Sequence, residues 1–355
     1  MPVAPLKVLV VDDSAIVRKL LSDGLRGERD IEVVGTAADP FLARDLILRL
    51  NPDVLTLDIE MPRMDGISFL KRLMAHRPMP VIIVSSLTQS GSAATIEALR
   101  AGAVDVIPKP GGPYSVGHVT HKLKERIRGL RGMTPARLAR PAIAAAEPRA
   151  VVTFQSGRPP SGILAIGAST GGPQAIEALL TRLPGNTPPI VIVQHMPPHF
   201  TRAFAERLDK TCAVRVIEAH GGERLEPGVA YLAPGDRHML VERHGVLLAT
   251  RLTDGPAVHH QRPAVDVLFH SLARLRGVPI VALLLTGMGQ DGADGMVALR
   301  QAGAETIAED EHSCVVFGMP REAIARGGAA HVATLLRIPA LIPECFARLS
   351  GLPAA

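Results

Sequence analysis

Residues 7–14 read KVLVVDDS, an apolar strand ending in two carboxylates and a serine that opens an amphipathic pattern running to Leu25. A strand without polar alternation is covered on both faces, as in a parallel sheet. The same rhythm recurs. Further apolar runs lie at Ile31–Thr36, Val54–Leu57, Val81–Ser85 and Asp105–Ile107. Helical patterns separate them at Pro40–Leu50, Gly66–Ala75 and Ala93–Ala101, with a last one near Val116–Leu130. Five βα units predict a flavodoxin-like, doubly wound α/β domain with five parallel strands.

Composition changes after Leu130. Residues 131–160 (RGMTPARLARPAIAAAEPRAVVTFQSGRPP) are rich in Pro, Ala and Arg without sustained periodicity and read as an interdomain linker. Beyond them the strand–helix rhythm resumes. Strands are expected at Ile163–Gly167, Ile190–Gln194, Val214–Glu218, Val229–Ala233 with Val246–Thr250, and Ile280–Thr286. Helices are expected around Pro173–Arg182, Thr201–Lys210, Ala264–Leu275 and Gly292–Ala302. The stretch 228–249 reads as antiparallel hairpins. The expectation is two doubly wound α/β domains, at 1–130 and 161–355, the second larger and mostly parallel with an antiparallel hairpin.

A length of 355 residues fits two to three domains at ~150 residues each. With 47% hydrophobic and 21% charged residues, wholesale disorder is excluded. No apolar run approaches the ~20 residues of a membrane helix. The stretch Met1–Val11 lacks a basic flank and runs into Asp12, unlike a secretory signal. Cys212, Cys314 and Cys345 are odd in number and widely spaced, as expected of a reducing cytoplasm without a structural zinc site. The net charge of +5 is local: residues 1–110 and 161–355 each carry −1, and the 50 between them +7. That excess reads as a solvated helix face and linker, or as a dock for an acidic partner; nucleic-acid readers concentrate charge on a folded face.

In an open parallel sheet, chemistry gathers at the carboxyl ends of strands. Asp12 and Asp13 end the first strand, and Asp58 ends the third, in LTLDIEMPRMDG. Packed together they would repel, and a hard divalent cation would relieve this. Ser85 offers a hydroxyl and Lys109 a positive charge. The set suits an anionic group beside Mg²⁺, with one carboxylate free as nucleophile. Singly, these residues read as helix caps or a surface lysine. Together, with the MPRMDG loop and the Lys109–Pro110 pair, residues 6–130 resemble the receiver domain of bacterial response regulators. The resemblance implies phosphorylation of Asp58, with Mg²⁺ held by Asp13, Asp58 and the backbone carbonyl of Glu60. Asp12 would stand behind these ligands, and Ser85 and Lys109 would contact the phosphoryl oxygens. Val106 occupies the position where receivers often carry an aromatic switch residue.

The run ILAIGASTGG, residues 163–172, places Ser169 in a G-x-S-x-G turn between a strand and a helix. Such a turn projects its serine above the sheet, where the helix N-terminus favours developing negative charge. An anion-binding loop and a purely structural turn are the other readings, although strict G-x-G-x-x-G spacing and a Walker lysine are absent. A serine needs a base, and His195 ends the next strand (IVIVQHMPP). The other histidines, His199, His220, His238, His259, His260 and His270, lack that placement. Asp291, in TGMGQDGADG, is the acid expected to orient the ring, with Asp294 its rival. The order Ser–His–Asp differs from the Ser–Asp–His of α/β-hydrolases.

GASTGG, QHMP, APGDRHM, RPAVDVLF, TGMGQDGADG and CVVFGMP follow one another across residues 163–320. They resemble the catalytic domain of the chemotaxis-specific protein-glutamate methylesterase (CheB) family. The resemblance implies hydrolysis of glutamate γ-methyl esters, and deamidation of glutamines, on the cytoplasmic helices of chemoreceptors. Ser169, His195 and Asp291 would form the triad, with backbone N–H groups of Thr170 and Met288 as oxyanion donors. Mg²⁺ is expected in the receiver and no cofactor for the esterase step. A chemotaxis histidine kinase would be the phosphodonor, with no nucleic-acid partner and no direct membrane insertion. A receiver-linked DNA-binding regulator and a catalytically silent receptor adaptor are the alternatives.

Overall fold

The computed structural model describes residues 4–86, 88–110, 116–134 and 161–351, together with Leu138, Val152 and Phe154. The chain divides into two compact units, Met1–Ala139 and Arg140–Ala355. The expected linker at 131–160 lies mostly outside the described residues.

The first unit holds one sheet of β1 (Leu6–Val11), β2 (Ile31–Ala37), β3 (Val54–Leu57), β4 (Val81–Ser85) and β5 (Asp105–Pro108). Their order is β2-β1-β3-β4-β5, every pair parallel. Helices begin where short polar side chains cap them. Ser14 accepts from Val17 N before α1 (Ala15–Leu25), and Asp39 from Phe41 N and Leu42 N before α2 (Pro40–Leu50). Asp65 accepts from Ser68 N before α3 (Gly66–His76). Two further helices, α4 (Gln89–Arg100) and α5 (Val116–Gly129), complete the wrap. The winding direction reverses between β1 and β3, which opens a crevice at their carboxyl ends.

The second unit is built on β6 (Ile163–Ala168), β7 (Ile190–Gln194), β8 (Arg215–Glu218), β9 (Val229–Leu232), β12 (Ile280–Leu284), β13 (Glu305–Glu309) and β14 (His331–Ala333). These run in the order β14-β13-β12-β6-β7-β9-β8, all parallel. Every residue of β6, β7 and β12 is buried. Each Val, Ile or Leu so enclosed contributes about 1.5–3 kcal/mol over its exposed state. The helices are α6 (Gly172–Leu180), α7 (Phe200–Thr211), α8 (Val265–Ala273), α9 (Ala293–Gln301), α10 (Met319–Ala325) and α11 (Ile338–Leu349). Here the reversal falls between β6 and β12.

One expectation needs correction. Val229–Leu232 does not join a hairpin; it is an interior parallel strand between β7 and β8. The hairpin is β10 (His238–His244) with β11 (Leu247–Thr253), a separate two-stranded antiparallel sheet. The sequence reading also passed over β13 and β14. The first opens and closes on glutamates, and the second is a three-residue edge strand with Val332 half exposed. Among the described residues no helix is long and apolar enough to cross a membrane.

Candidate active site

Ser169 directly follows β6 at the reversal point of the larger sheet. Its turn is closed by Gly172 N–H donating to the Ser169 carbonyl at 2.8 Å. Gly171 adopts φ +78°, and a Cβ there would lie 2.6 Å from Val315 Cβ, so both conformation and space require glycine. The Gln194 amide, at the end of β7, donates to the same carbonyl at 2.9 Å. Ser169 N–H donates to the Thr286 carbonyl at 3.0 Å. Gly287 lies against the serine: a Cβ on it would come within 2.7 Å of Ser169 Cβ.

His195 is brought beside this turn by strand register. Ala168 and Gln194 are partners in the β6–β7 ladder, and His195 N–H donates to the Ala168 carbonyl at 3.1 Å. The ring is buried. Its Nε2 lies 2.7 Å from Asp291 Oδ2, while Nδ1 has no hydrogen-bond partner among the described residues. A carboxylate on Nε2 keeps the proton on that nitrogen and leaves Nδ1 as an acceptor.

Asp291 sits at the N-terminus of α8, whose own cap residue, Ala264, has no side-chain acceptor. The carboxylate takes that place, accepting Val265 N–H at 2.7 Å and Asp266 N–H at 2.9 Å. Burial opposes its charge, but His195 and these two amides outweigh burial and hold the carboxyl below its ordinary value. Asp294 points elsewhere, to Arg326 Nη1 at 2.6 Å. A second pair adjoins the first. His259 Nε2 lies 3.0 Å from Asp266 Oδ2, and burial, then the Asp291 charge, push the Asp266 carboxyl upward.

The two expected oxyanion donors lie in the turn that holds Ser169 and in the loop that faces it. Thr170 is the next residue of the buried turn, and its carbonyl accepts the Thr286 hydroxyl at 2.9 Å. Met288 follows Gly287, whose carbonyl accepts Gly318 N–H and Met319 N–H. Gln194, Asp266, Thr286 and Glu309 were not singled out from sequence. Only the motif context of QHMP, RPAVDVLF and TGMG pointed toward the first three.

In the first unit, Asp12, Asp13 and Asp58 offer carboxylate oxygens within 4.8 Å of one another. Lys109 Nζ lies 2.7 Å from Asp58 Oδ2 and 3.4 Å from Asp12 Oδ2. Burial, with the neighbouring Asp12 charge, pushes the Asp58 carboxyl up to about 6 despite the lysine. The buried Ser85 hydroxyl has no hydrogen-bond partner among the described residues. Glu60 N–H donates to Asp58 Oδ1 at 3.2 Å, which sets the Glu60 peptide beside the pocket. Val106 is buried within β5, its N–H turned to the Asp105 carboxylate. The oxygen-rich donor set and the unpartnered hydroxyl fit a hard divalent cation beside an anionic group.

Comparison with known proteins agrees with this geometry. The sequence matches the family described as CheB methylesterase over residues 164–342 and the response regulator receiver domain over residues 8–118. It is 50% identical over 331 residues to protein-glutamate methylesterase/protein-glutamine glutaminase 2 of Syntrophus aciditrophicus, covering 93% of this chain and 96% of that one. It is also 50% identical over 338 residues to the protein-glutamate methylesterase/protein-glutamine glutaminase of Escherichia coli K12, covering 94% and 95%. The crystal structure of the Thermotoga maritima CheB methylesterase catalytic domain is similar with TM-score 0.51 and 41% identity, over 52% of this chain and 98% of that one. A receiver sheet with an acidic pocket and a second sheet carrying Ser169 beside His195 and Asp291 accord with these matches along most of the length; the chain belongs to the CheB methylesterase family.

Proposed function

We propose that this chain is a phosphorylation-regulated protein-glutamate methylesterase and protein-glutamine glutaminase of the cytoplasm, acting on the cytoplasmic helices of methyl-accepting chemoreceptors. The observation that carries the reading is the His195 ring at the strand end beside Ser169, bound through Nε2 to Asp291, with a buried Nδ1 that has no hydrogen-bond partner among the described residues. His195 Nδ1 takes the Ser169 proton as Oγ attacks the γ-carbonyl carbon, and Asp291 stabilises the imidazolium so formed. Thr170 and Met288 N–H groups stabilise the oxyanion. As the bond to the leaving group breaks, the protonated ring gives its proton to the ester methoxy oxygen, released as methanol, or to the glutamine amide nitrogen, released as ammonia. Water, deprotonated by the same ring, then attacks the acyl carbon; the bond to Ser169 Oγ breaks, the ring returns the proton to that oxygen, and glutamate is released.

In the receiver, Asp58 is the phosphoacceptor and a chemotaxis histidine kinase its donor. Asp13, Asp58 and the Glu60 carbonyl would hold Mg²⁺, which supplies charge neutralisation for phosphoryl transfer. Lys109 exchanges its bond to Asp58 for one to a phosphoryl oxygen, and Ser85 donates to another.

Release of labelled methanol from methylated receptor tests the reading, measured on the full chain with and without acetyl phosphate and Mg²⁺. Release that rises with the phosphodonor is expected. A folded protein that binds receptor but releases no methanol would be an adaptor instead.

A further inference from the structure

The mechanism leaves one buried carboxyl group at the carboxyl end of the larger sheet without a task. Glu309 closes β13 and is fully buried. Its Oε2 accepts the Thr286 N–H at 2.8 Å, its Oε1 meets no hydrogen-bond geometry among the described residues, and the Ser313 and Cys314 side chains lie near enough to favour the charged carboxyl.

Thr286 is where that bond leads. The Thr286 carbonyl accepts Ser169 N–H at 3.0 Å, and its hydroxyl donates to the Thr170 carbonyl at 2.9 Å. The same hydroxyl accepts Val316 N–H at 2.9 Å, and the Val316 carbonyl accepts Gly287 N–H at 3.0 Å. On the other flank, Gln194 holds the Ser169 carbonyl. The two peptide groups that set the backbone angles of Ser169 are thus each held by a neighbouring strand end. Those angles decide where Oγ points. Glu309 anchors one brace and Gln194 the other.

We propose that Glu309 is a positioning residue for the Ser169 nucleophile, acting as a buried acceptor that fixes the Thr286 peptide. This rests on the reading of Ser169 as nucleophile. The role needs an acceptor and not a charge. Burial, which pushes the carboxyl up to about 7, keeps it largely neutral in acidic solution, and a neutral carboxyl still accepts.

Two variants of the full chain separate positioning from mere filling of space. Glu309→Met keeps the volume and drops the acceptor; Glu309→Gln keeps both. Steady-state hydrolysis of methylated receptor is measured together with hydrogen exchange at the Ser169 and Thr286 amides. Glu309→Met is expected to lose on the order of 10–10² in kcat with KM nearly unchanged, because a small misplacement of a reacting group has that effect. Both amides should exchange faster in it. Glu309→Gln should stay within about threefold of wild type, a difference of roughly 0.7 kcal/mol. Wild-type kcat and exchange in folded Glu309→Met, or a Gln variant as slow as the Met variant, would overturn the proposal. A wild-type chain that hydrolyses no ester would sink the functional reading alone, since the exchange measurement still decides whether Glu309 holds the turn.

Discussion

His195 Nε2 lies 2.7 Å from Asp291 Oδ2, so the acid binds the ring nitrogen farther from the main chain and Nδ1 is left as an acceptor. In the chymotrypsin arrangement these roles are reversed. Asp291→Asn would present an amide that favours the wrong tautomer. We expect kcat for methanol release to fall on the order of 10⁴-fold. Thermal stability should fall too, because the same carboxylate caps α8. A loss of less than tenfold would detach Asp291 from the mechanism.

Removing the nucleophile should separate the two units. Ser169→Ala is expected to lose 10⁴-fold or more in kcat, on the order seen when a triad nucleophile is deleted. Phosphorylation of Asp58 should proceed as in wild type, since that pocket is built wholly from the first unit. Radiolabelled phosphodonor and methanol release, measured on one preparation, check both halves.

Asp58→Asn should abolish the response to phosphodonor. The amide lacks the nucleophilic carboxylate and weakens the cation site. Label that is acid-stable, or that remains on the variant at wild-type level, would contradict the assignment.

Glu309 gives stability a pH slope. Its carboxyl titrates near 7 when folded against an ordinary 4.5. As pH rises from about 4.5 to 7 the unfolded chain releases this proton first, so stability falls across that window and levels off above it. The loss is on the order of 3 kcal/mol. Glu309→Gln should lack it, so urea unfolding at pH 5 and pH 8 should differ less in the variant. Identical pH dependence in both proteins would be the contrary result.

Gly287→Ala should damage the site without unfolding the sheet. The added methyl would meet Met319 Sδ at 2.4 Å and Ser169 Cβ at 2.7 Å. The thioether can yield; the serine can yield only by moving its hydroxyl. A fall in kcat on the order of 10²-fold is expected, with little change in receptor affinity measured by titration.

Much of this was legible because strand ends announce themselves. KVLVVDDS, LTLDIE, IGASTGG and IVIVQHMPP each stop an apolar run on a functional side chain, and parallel order does the rest. Asp291 was preferred to Asp294 because Asp294 falls further into the following helix, but the partner of Asp294 was not legible. Both precede a glycine, but Asp294 lies within α9, where its carboxylate meets the distant Arg326. Val229–Leu232 was read as hairpin, but its partners are the parallel strands β7 and β8, a pairing that no local pattern encodes. The Glu309–Thr286 bond joins residues 23 apart on different strands, and no local pattern encodes it.

The insertion of β12 beside β6 also has a consequence for biosynthesis. Ser169 and His195 leave the ribosome on neighbouring strands, but Asp291 is made 96 residues after His195. Until β12 and its loop emerge and slot into place, one edge of β6 is bare and the histidine has no acid. Pairing across so long a separation is slow and comes late. On the proposed mechanism, a nascent or prematurely terminated chain that stops before Asp291 should therefore carry Ser169 and His195 without the acid that orients the ring.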